Sequence, residues 1–386
     1  MMGRAERSES AGLIRIGTSK RLVAQCFGLV AGGLRLWRRC HRRAYPPGCD
    51  RRVLILEPFG LGDVISLEPL IRLLQQQHFK VILCARPEWQ PLYPSIGHWM
   101  AAQVPWARHQ FAQKYHWAEY WRQPFRSFVR ALRGAAAGAV GLDPRGDIRS
   151  VLLLHLAGCR RVLTLSSYLG SDLSLPRCAA ERIPFSPELR RWELNMRFLT
   201  ALVGGAVPKV GPPQFPHLAP PAPRSSQRRV GLVPVAPWPG KLWAADKWKE
   251  LAVQLQQRGW DVQALCGPGQ TEAAVEQTGH SVPVVQCDSV LAWAEALGRC
   301  AVVVTLDTGP MHLADALGVP VVALFGQGLL PFWAPSGRRS CVITHRDADF
   351  VPCHPTEANV PLGRKYMDRI SVSEVLEAVE RVSSDA

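Results

Sequence analysis

Twice along this chain, short apolar runs alternate with segments of helical period, and a proline-rich stretch separates the two series. The first holds VLIL (53–56), VILCA (81–85), AVGLD (139–143) and RRVLTL (160–165). The second holds VGLVPV (230–235), WDVQALCG (260–267), VPVVQC (282–287), AVVVTLD (301–307) and VPVVALFG (319–326). Runs this apolar suit strands buried on both faces, and the helices between them make the connections parallel crossovers. Helices are expected at 63–77, 149–158, 246–258, 270–278, 289–298, 310–317 and 371–382. The last opens with a capping-box pair, Ser371 and Glu374. The expectation is an α/β chain with two Rossmann-like, doubly wound domains, at 51–205 and 230–370. Between them GGAVPKVGPPQFPHLAPPAPRSSQRR (204–229) carries seven prolines. It can be neither helix nor central strand, so 206–229 reads as a linker. Residues 1–50 form a basic extension, and 371–386 a closing helix. The aromatic-rich stretch 86–135 shows no clear period.

Charge singles out the extension. Residues 1–52 hold twelve Lys/Arg against three acids, nine of the chain's fifteen net positive charges. Such a segment suits nucleic acid or an anionic membrane face. Within it, Val23, Phe27, Val30, Leu34 and Trp37 have helical spacing, and Arg35, Arg38, Arg39, Arg42 and Arg43 follow. The uncharged stretch Leu22 to Leu34 is too short to span a bilayer. It reads as an interfacial helix with a polybasic tail. A cleaved signal peptide, with small residues Ala31, Gly32 and Gly33, is the rival. Eleven scattered cysteines with no C-x-x-C pair argue against a disulfide framework or a zinc site, and no metal site is expected.

In doubly wound sheets ligands bind at the carboxyl ends of the strands, so four loops carry the candidate chemistry. After 301–307 come Asp307, Thr308 and Gly309 at a helix start, with His312 in its first turn. Amide donors there favour an anion, and glycine admits close backbone approach. After 230–235, a Pro/Gly loop presents Lys241, a point charge suited to phosphate. After 53–56, EPFGLGD places Asp63 at a helix mouth behind Gly60 and Gly62. A carboxylate there serves as a helix cap or as an acceptor of a hydroxyl proton. Ile65 stands where a dinucleotide fingerprint needs its last glycine, so a nicotinamide dehydrogenase loses its main support. After 139–143, Asp143, Arg145, Asp147 and Arg149 crowd a strand end, either to hold a polyhydroxylated, acidic acceptor or as a surface ion-pair cluster.

Together LILEPFGLGDVISLEPLIRLL, GLDPRGDIRSVLLLHLAGCRRV, GKLWAADKWKELAVQLQQRGWDV, VVVTLDTGPMHLADALGVPVVALFG and YMDRISVSEVLEAV resemble glycosyltransferase family 9, the bacterial heptosyltransferases. The likeness covers about 53–384. It implies a GT-B architecture with the active site in the cleft between two Rossmann-like domains. It implies an inverting, metal-independent transferase that takes heptose from ADP-heptose to a lipopolysaccharide-core or related glycolipid acceptor, with no cofactor. Asp63 stands at the family's general base, and Lys241 at its donor-phosphate lysine. Asp307, Thr308, Gly309 and His312 stand in its ADP-sugar loop, and Gly60, Gly62, Arg145 and Asp147 are candidates for the acceptor side. The family tends to place an acidic residue near the nucleotide ribose. This chain has Gln270 at that position and Glu272 two further on. EPFGLGD also departs from the small-residue loop usual before the aspartate.

Nucleotide sugars are cytosolic, so the expected location is cytoplasmic, at the inner face of the cytoplasmic membrane. Expected partners are a nucleotide sugar, a glycolipid and an anionic membrane. Nucleic acid is not expected, because no aromatic-interleaved basic motif is present. The alternative class is a basic nucleic-acid or membrane-associated binding protein with inactive Rossmann-like domains.

Overall fold

A computed structural model describes residues 18–40, 51–104, 123–168, 171, 178–206, 209–218, 228–347, 350 and 359–384. Arg42, Arg43, Trp106, Trp117, Trp121 and part of the proline-rich linker lie outside these residues. The contacts divide the chain into two compact units. One comprises residues 1–59 and 67–210, the other residues 60–66 and 211–386.

The first unit begins with α1 (Thr18–Cys40) and β1 (Arg52–Glu57). After β1 comes α2 (Leu61–Ile65), which groups with the second unit. The first unit resumes with α3 (Glu68–Gln76), β2 (Lys80–Ala85), β3 (His98–Ala101), α4 (Gln123–Ala136) and β4 (Val140–Asp143). It ends with α5 (Ile148–Leu156), β5 (Arg161–Leu165), β6 (Glu181–Ile183) and α6 (Arg191–Val203). Its six strands run in the order β3-β2-β1-β4-β5-β6, every pairing parallel. Residues 53–57 of β1 are fully buried, as strands covered on both faces must be.

The second unit repeats the plan. Its elements are β7 (Arg229–Val233), α7 (Ala245–Gln257), β8 (Asp261–Cys266), α8 (Thr271–Thr278), β9 (Val284–Gln286) and α9 (Val290–Gly298). β10 (Val302–Leu306), α10 (Gly309–Ala316), β11 (Val321–Leu324), β12 (Ser340–Ile343), α11 (Val360–Met367) and α12 (Val372–Ser384) complete it. The order β12-β11-β10-β7-β8-β9 is again wholly parallel. The expected α/β fold of two doubly wound sheets is thus the observed one. In each sheet the chain reverses direction between two central strands, β1 and β4 or β7 and β10, and there the loops diverge to leave a ligand crevice.

The cores explain the pattern of apolar residues. Trp243 and Trp248 are wholly buried and meet edge to face at 5.1 Å under the second sheet. The Trp243 indole donates to the carbonyl of Ile370 at 3.1 Å, so its one polar atom is satisfied. Helix α12 starts as its sequence reads. The Ser371 amide donates to the Glu374 carboxylate at 2.9 Å, and the Glu374 amide donates to the Ser371 hydroxyl at 3.3 Å.

Two expectations are corrected. The single helix expected at 63–77 is broken into α2 and α3. Pro69 lies in the first turn of α3 and has no N–H for the carbonyl of Ile65, so the helix must restart. In α1 the five residues read as one apolar stripe divide, with Val30 and Trp37 exposed and Val23, Phe27 and Leu34 half-buried. The helix turns Ala24, Gly28 and Ala31 inward onto α5 instead. No helix among the described residues is long and apolar enough to cross a membrane.

Candidate active site

The second sheet places its two candidate loops side by side at the reversal point. β7 runs into a loop whose 3-10 turn, Pro239–Lys241, ends on the lysine, while β10 runs directly into Asp307, Thr308 and α10. Lys241 Nζ lies 2.8 Å from Asp307 Oδ2 and donates to the Asp307 carbonyl at 2.6 Å. The lysine therefore stands over the first turn of α10. Thr308 occupies the N-cap in extended conformation, and its hydroxyl donates to the Leu306 carbonyl at 3.3 Å. Helix-start amides and an ammonium group at one place make positive potential suited to an oxyanion.

A further cation stands close by. Arg346, beyond the end of β12, donates from Nε to the Gly326 carbonyl at 3.0 Å and from Nη2 to that of Gly328. Burial pulls its pKa down to about 10, while Asp307 opposes the fall, so the guanidinium is charged at neutral pH. Gly328 packs on Asp307, where an added Cβ would meet Oδ2 at 2.5 Å. Sequence reasoning missed Arg346. It follows a four-residue edge strand too short to announce itself, so its place beside a ligand loop was invisible.

The segment holding Asp63 packs on the same helix. A Cβ on Gly62 would strike the His312 ring at 2.4 Å, and one on Gly309 would meet Leu61 at 2.8 Å. Glycine at 62 and 309 is what allows α2 and α10 to approach this closely. Asp63 is 7% exposed, and its Oδ2 accepts the Gly60 N–H at 3.3 Å. It therefore does cap α2, from the third helical position. His312 meets Trp333 edge to face at 5.9 Å. Burial lowers the His312 pKa against the pull of Asp307, Asp315 and Asp63, which leaves the ring neutral at pH 7.

Gln270 is the N-cap of α8 and accepts the Gly267 N–H through Oε1 at 2.9 Å. Glu272, in the first turn of that helix, is exposed.

In the first sheet the loop after β4 is wired into the protein. Asp143 accepts the Arg145 N–H at 3.2 Å, the Asp147 N–H at 2.7 Å and the Thr164 hydroxyl at 2.6 Å. Asp147 caps α5 by accepting the Arg149 N–H at 2.9 Å, and pairs with the Arg149 guanidinium at 2.6 Å. Arg145 lies 3.6 Å from Glu57 and stacks over Phe59 at 3.8 Å from the ring centre. Arg191, from α6, pairs with Glu57 at 3.1 Å. Glu57, Arg145, Asp147 and Arg191 are all buried, so the ion-pair cluster is internal rather than superficial.

Burial and the Asp147 charge push Asp143 up to about 7. The folded state then holds this proton more tightly than the unfolded chain does, whose carboxyl keeps its ordinary value near 3.8. The contribution of Asp143 to stability is complete below that value and is lost as pH rises through about 7. Urea unfolding should show the loss, at most about 1.4 kcal/mol for each pH unit between the two values, and Asp143→Asn should remove that slope.

Among the described residues no group of three or more His, Cys, Asp or Glu is placed to hold a metal ion.

Part of the second unit is similar to known proteins. Residues 213–358 match the model of glycosyltransferase family 9 (heptosyltransferase). Lipopolysaccharide heptosyltransferase 1 of Pseudomonas aeruginosa is 34% identical over 124 residues, 31% of this chain and 33% of the relative. Over residues 213–358 the chain is thus similar to glycosyltransferase family 9. Lipopolysaccharide heptosyltransferase 3 of Escherichia coli K12 is 26% identical over 160 residues, 40% of this chain and 46% of the relative. The chain thus spans between a third and a half of the length of these curated relatives. Among solved structures, the E. coli heptosyltransferase WaaC with ADP superposes with a TM-score of 0.64 at 17% identity, covering 86% of this chain and 99% of that one. A family 9 glycosyl transferase from Veillonella parvula gives 0.64 at 18% identity, covering 87% and 97%. At such identities the likeness establishes the shared two-domain fold.

Proposed function

We propose that this chain is a member of glycosyltransferase family 9, an inverting, metal-independent glycosyltransferase that moves heptose from ADP-heptose to a lipopolysaccharide-core or related glycolipid acceptor. The observation that carries the reading is the pairing of Lys241 with the start of α10, against which the Asp63 segment packs. The nature of the donor is supported by WaaC, whose structure was determined with ADP.

In this reading the donor diphosphate displaces the Asp307 carboxylate from Lys241 and takes the amides of Thr308 and Gly309. Positive potential placed where the departing ADP gains charge stabilises the transition state without a metal ion. His312, neutral and fixed against Gly62, supplies a hydrogen bond rather than a charge. Asp63 removes the proton from the acceptor hydroxyl as it attacks the anomeric carbon. Gln270 and Glu272 face the nucleotide ribose. Gly60 and Gly62 admit the acceptor, while Arg145 and Asp147, held in their buried network, shape its side of the site. The enzyme works at the inner face of the cytoplasmic membrane, where nucleotide sugar and lipid-linked acceptor meet.

The donor site is tested by Lys241→Met. ADP-heptose should raise the melting temperature of the parent by mass action. Loss of one charge-assisted contact should weaken ADP-heptose binding ~10–100-fold. Equal thermal shifts in parent and variant would remove Lys241 from the donor site.

A further inference from the structure

Helix α1 has two faces of opposite character. Ala24, Gly28 and Ala31 recur every three or four residues, are buried, and seat the helix on α5. Gly32 lies so close to Cys178 that a Cβ would meet its Sγ at 2.9 Å, and Arg35 donates to the Cys178 carbonyl at 3.3 Å. Small residues inward and the bonds between the helix and Cys178 fix its rotation. That rotation turns the large side chains outward. Leu22, Leu29 and Leu36 fall seven residues apart, and Val30 and Trp37 each follow one of them. These five are between 49% and 71% exposed, though they are among the most apolar residues of the helix. A lone exposed leucine needs no cause, but a stripe along the whole length of a helix marks an interaction surface.

We propose that this outward stripe of α1 is a membrane-docking surface, laid flat on an anionic phospholipid bilayer. The charge of the helix argues for that occupant. Its 23 residues contain Lys20, Arg21, Arg35, Arg38 and Arg39 and no acid. Leucine and tryptophan on one face with basic residues on the same helix is the composition of a helix that lies in the lipid interface. A helix of this length extends ~35 Å, and its seat along α5 holds it side-on to the bilayer. It does not insert across the membrane, since it is not apolar enough to span. A second copy of the chain is the poorer occupant, because pairing would set one basic, acid-free helix against another. The proposal does not rest on the transferase reading.

Flotation of the full chain with vesicles tests it. Vesicles of phosphatidylglycerol and phosphatidylethanolamine should carry the protein upward, with a partition coefficient at least ~10-fold above that for phosphatidylcholine alone. Leu29→Glu with Leu36→Glu should lower that partition ~100-fold. Both positions are exposed, so the fold should survive, and an unchanged thermal shift with ADP-heptose would show that the second unit is intact. No flotation of the parent, or equal flotation of parent and double variant, would overturn the proposal. So would a dimer of the parent in sedimentation, free of lipid, that the double variant abolishes. The nucleotide shift is read separately, so failure of the docking surface and failure of the donor site are distinguishable.

Discussion

Asp63→Asn is expected to reduce heptosyl transfer by ~10²–10⁴-fold, the range for loss of a general base, while the thermal shift given by ADP-heptose stays as in the parent. Asparagine is the informative choice because Asp63 has two duties. One is the cap, in which Oδ2 accepts the Gly60 N–H. An amide oxygen keeps that bond, so α2 and its packing on α10 should persist. The other duty needs a proton acceptor of carboxylate strength, which an amide cannot supply. Measured side by side, transfer and donor binding therefore separate. A variant that loses both in parallel would mean that Asp63 acts through the fold of the loop, and a variant that transfers at the parental rate would remove it from the chemistry.

Glu57→Gln is expected to destabilise the first unit by ~3–5 kcal/mol. Glu57 is fully buried at the end of β1 and is the counter-charge of both Arg191, at 3.1 Å, and Arg145, at 3.6 Å. Glutamine has nearly the same volume, so packing is kept and only the negative charge goes. Two buried guanidinium groups would then lose the carboxylate they share, and with it the charge that offsets the cost of stripping them of water. Urea unfolding followed by circular dichroism reads the change. A loss below ~1 kcal/mol would show that the pair contributes no more than a surface bridge does. The same variant should keep its response to ADP-heptose, because Lys241, Asp307 and Arg346 belong to the other unit.

The sequence carried the frame well because the central strands are unambiguous. Runs such as VVVT in β10 and VLIL in β1 are buried on both faces, and nothing but a parallel sheet accommodates them in series. The loops after these strands were legible for the same reason, since a strand end followed by Asp-Thr-Gly and a helix is a local pattern. Edge elements were not legible. β3, β6 and β12 have three or four residues each, and few of their side chains are fully buried, so no long apolar run marks them. Arg346 was missed with β12, and Arg191 was missed with α6.

Long-range pairing was equally hidden. Glu57 and Arg191 are 134 positions apart, and nothing local in EPFGLGD reveals that its first residue anchors a buried cluster. The loop after β4 could be read from its charges as an acceptor site or as ion pairs, and spacing alone did not decide. Its hydrogen bonds to Asp143 and the burial of Arg145 and Asp147 define an internal network. In α1 a helical period was plain, but which face turns outward depended on the fit of Ala24, Gly28 and Ala31 to α5, which no single-segment pattern contains.

The central claim is that a carboxylate on α2 and an anion site at Lys241 and α10 together perform sugar transfer with inversion. It is tested most directly by incubating the chain with ADP-heptose and a heptose-deficient lipopolysaccharide-core oligosaccharide, and reading ADP release together with the anomeric configuration of the product by proton NMR. The account predicts one ADP for each sugar transferred and a new glycosidic bond of configuration opposite to the donor's. Retention of the donor configuration, or no ADP released with any core acceptor, would contradict it.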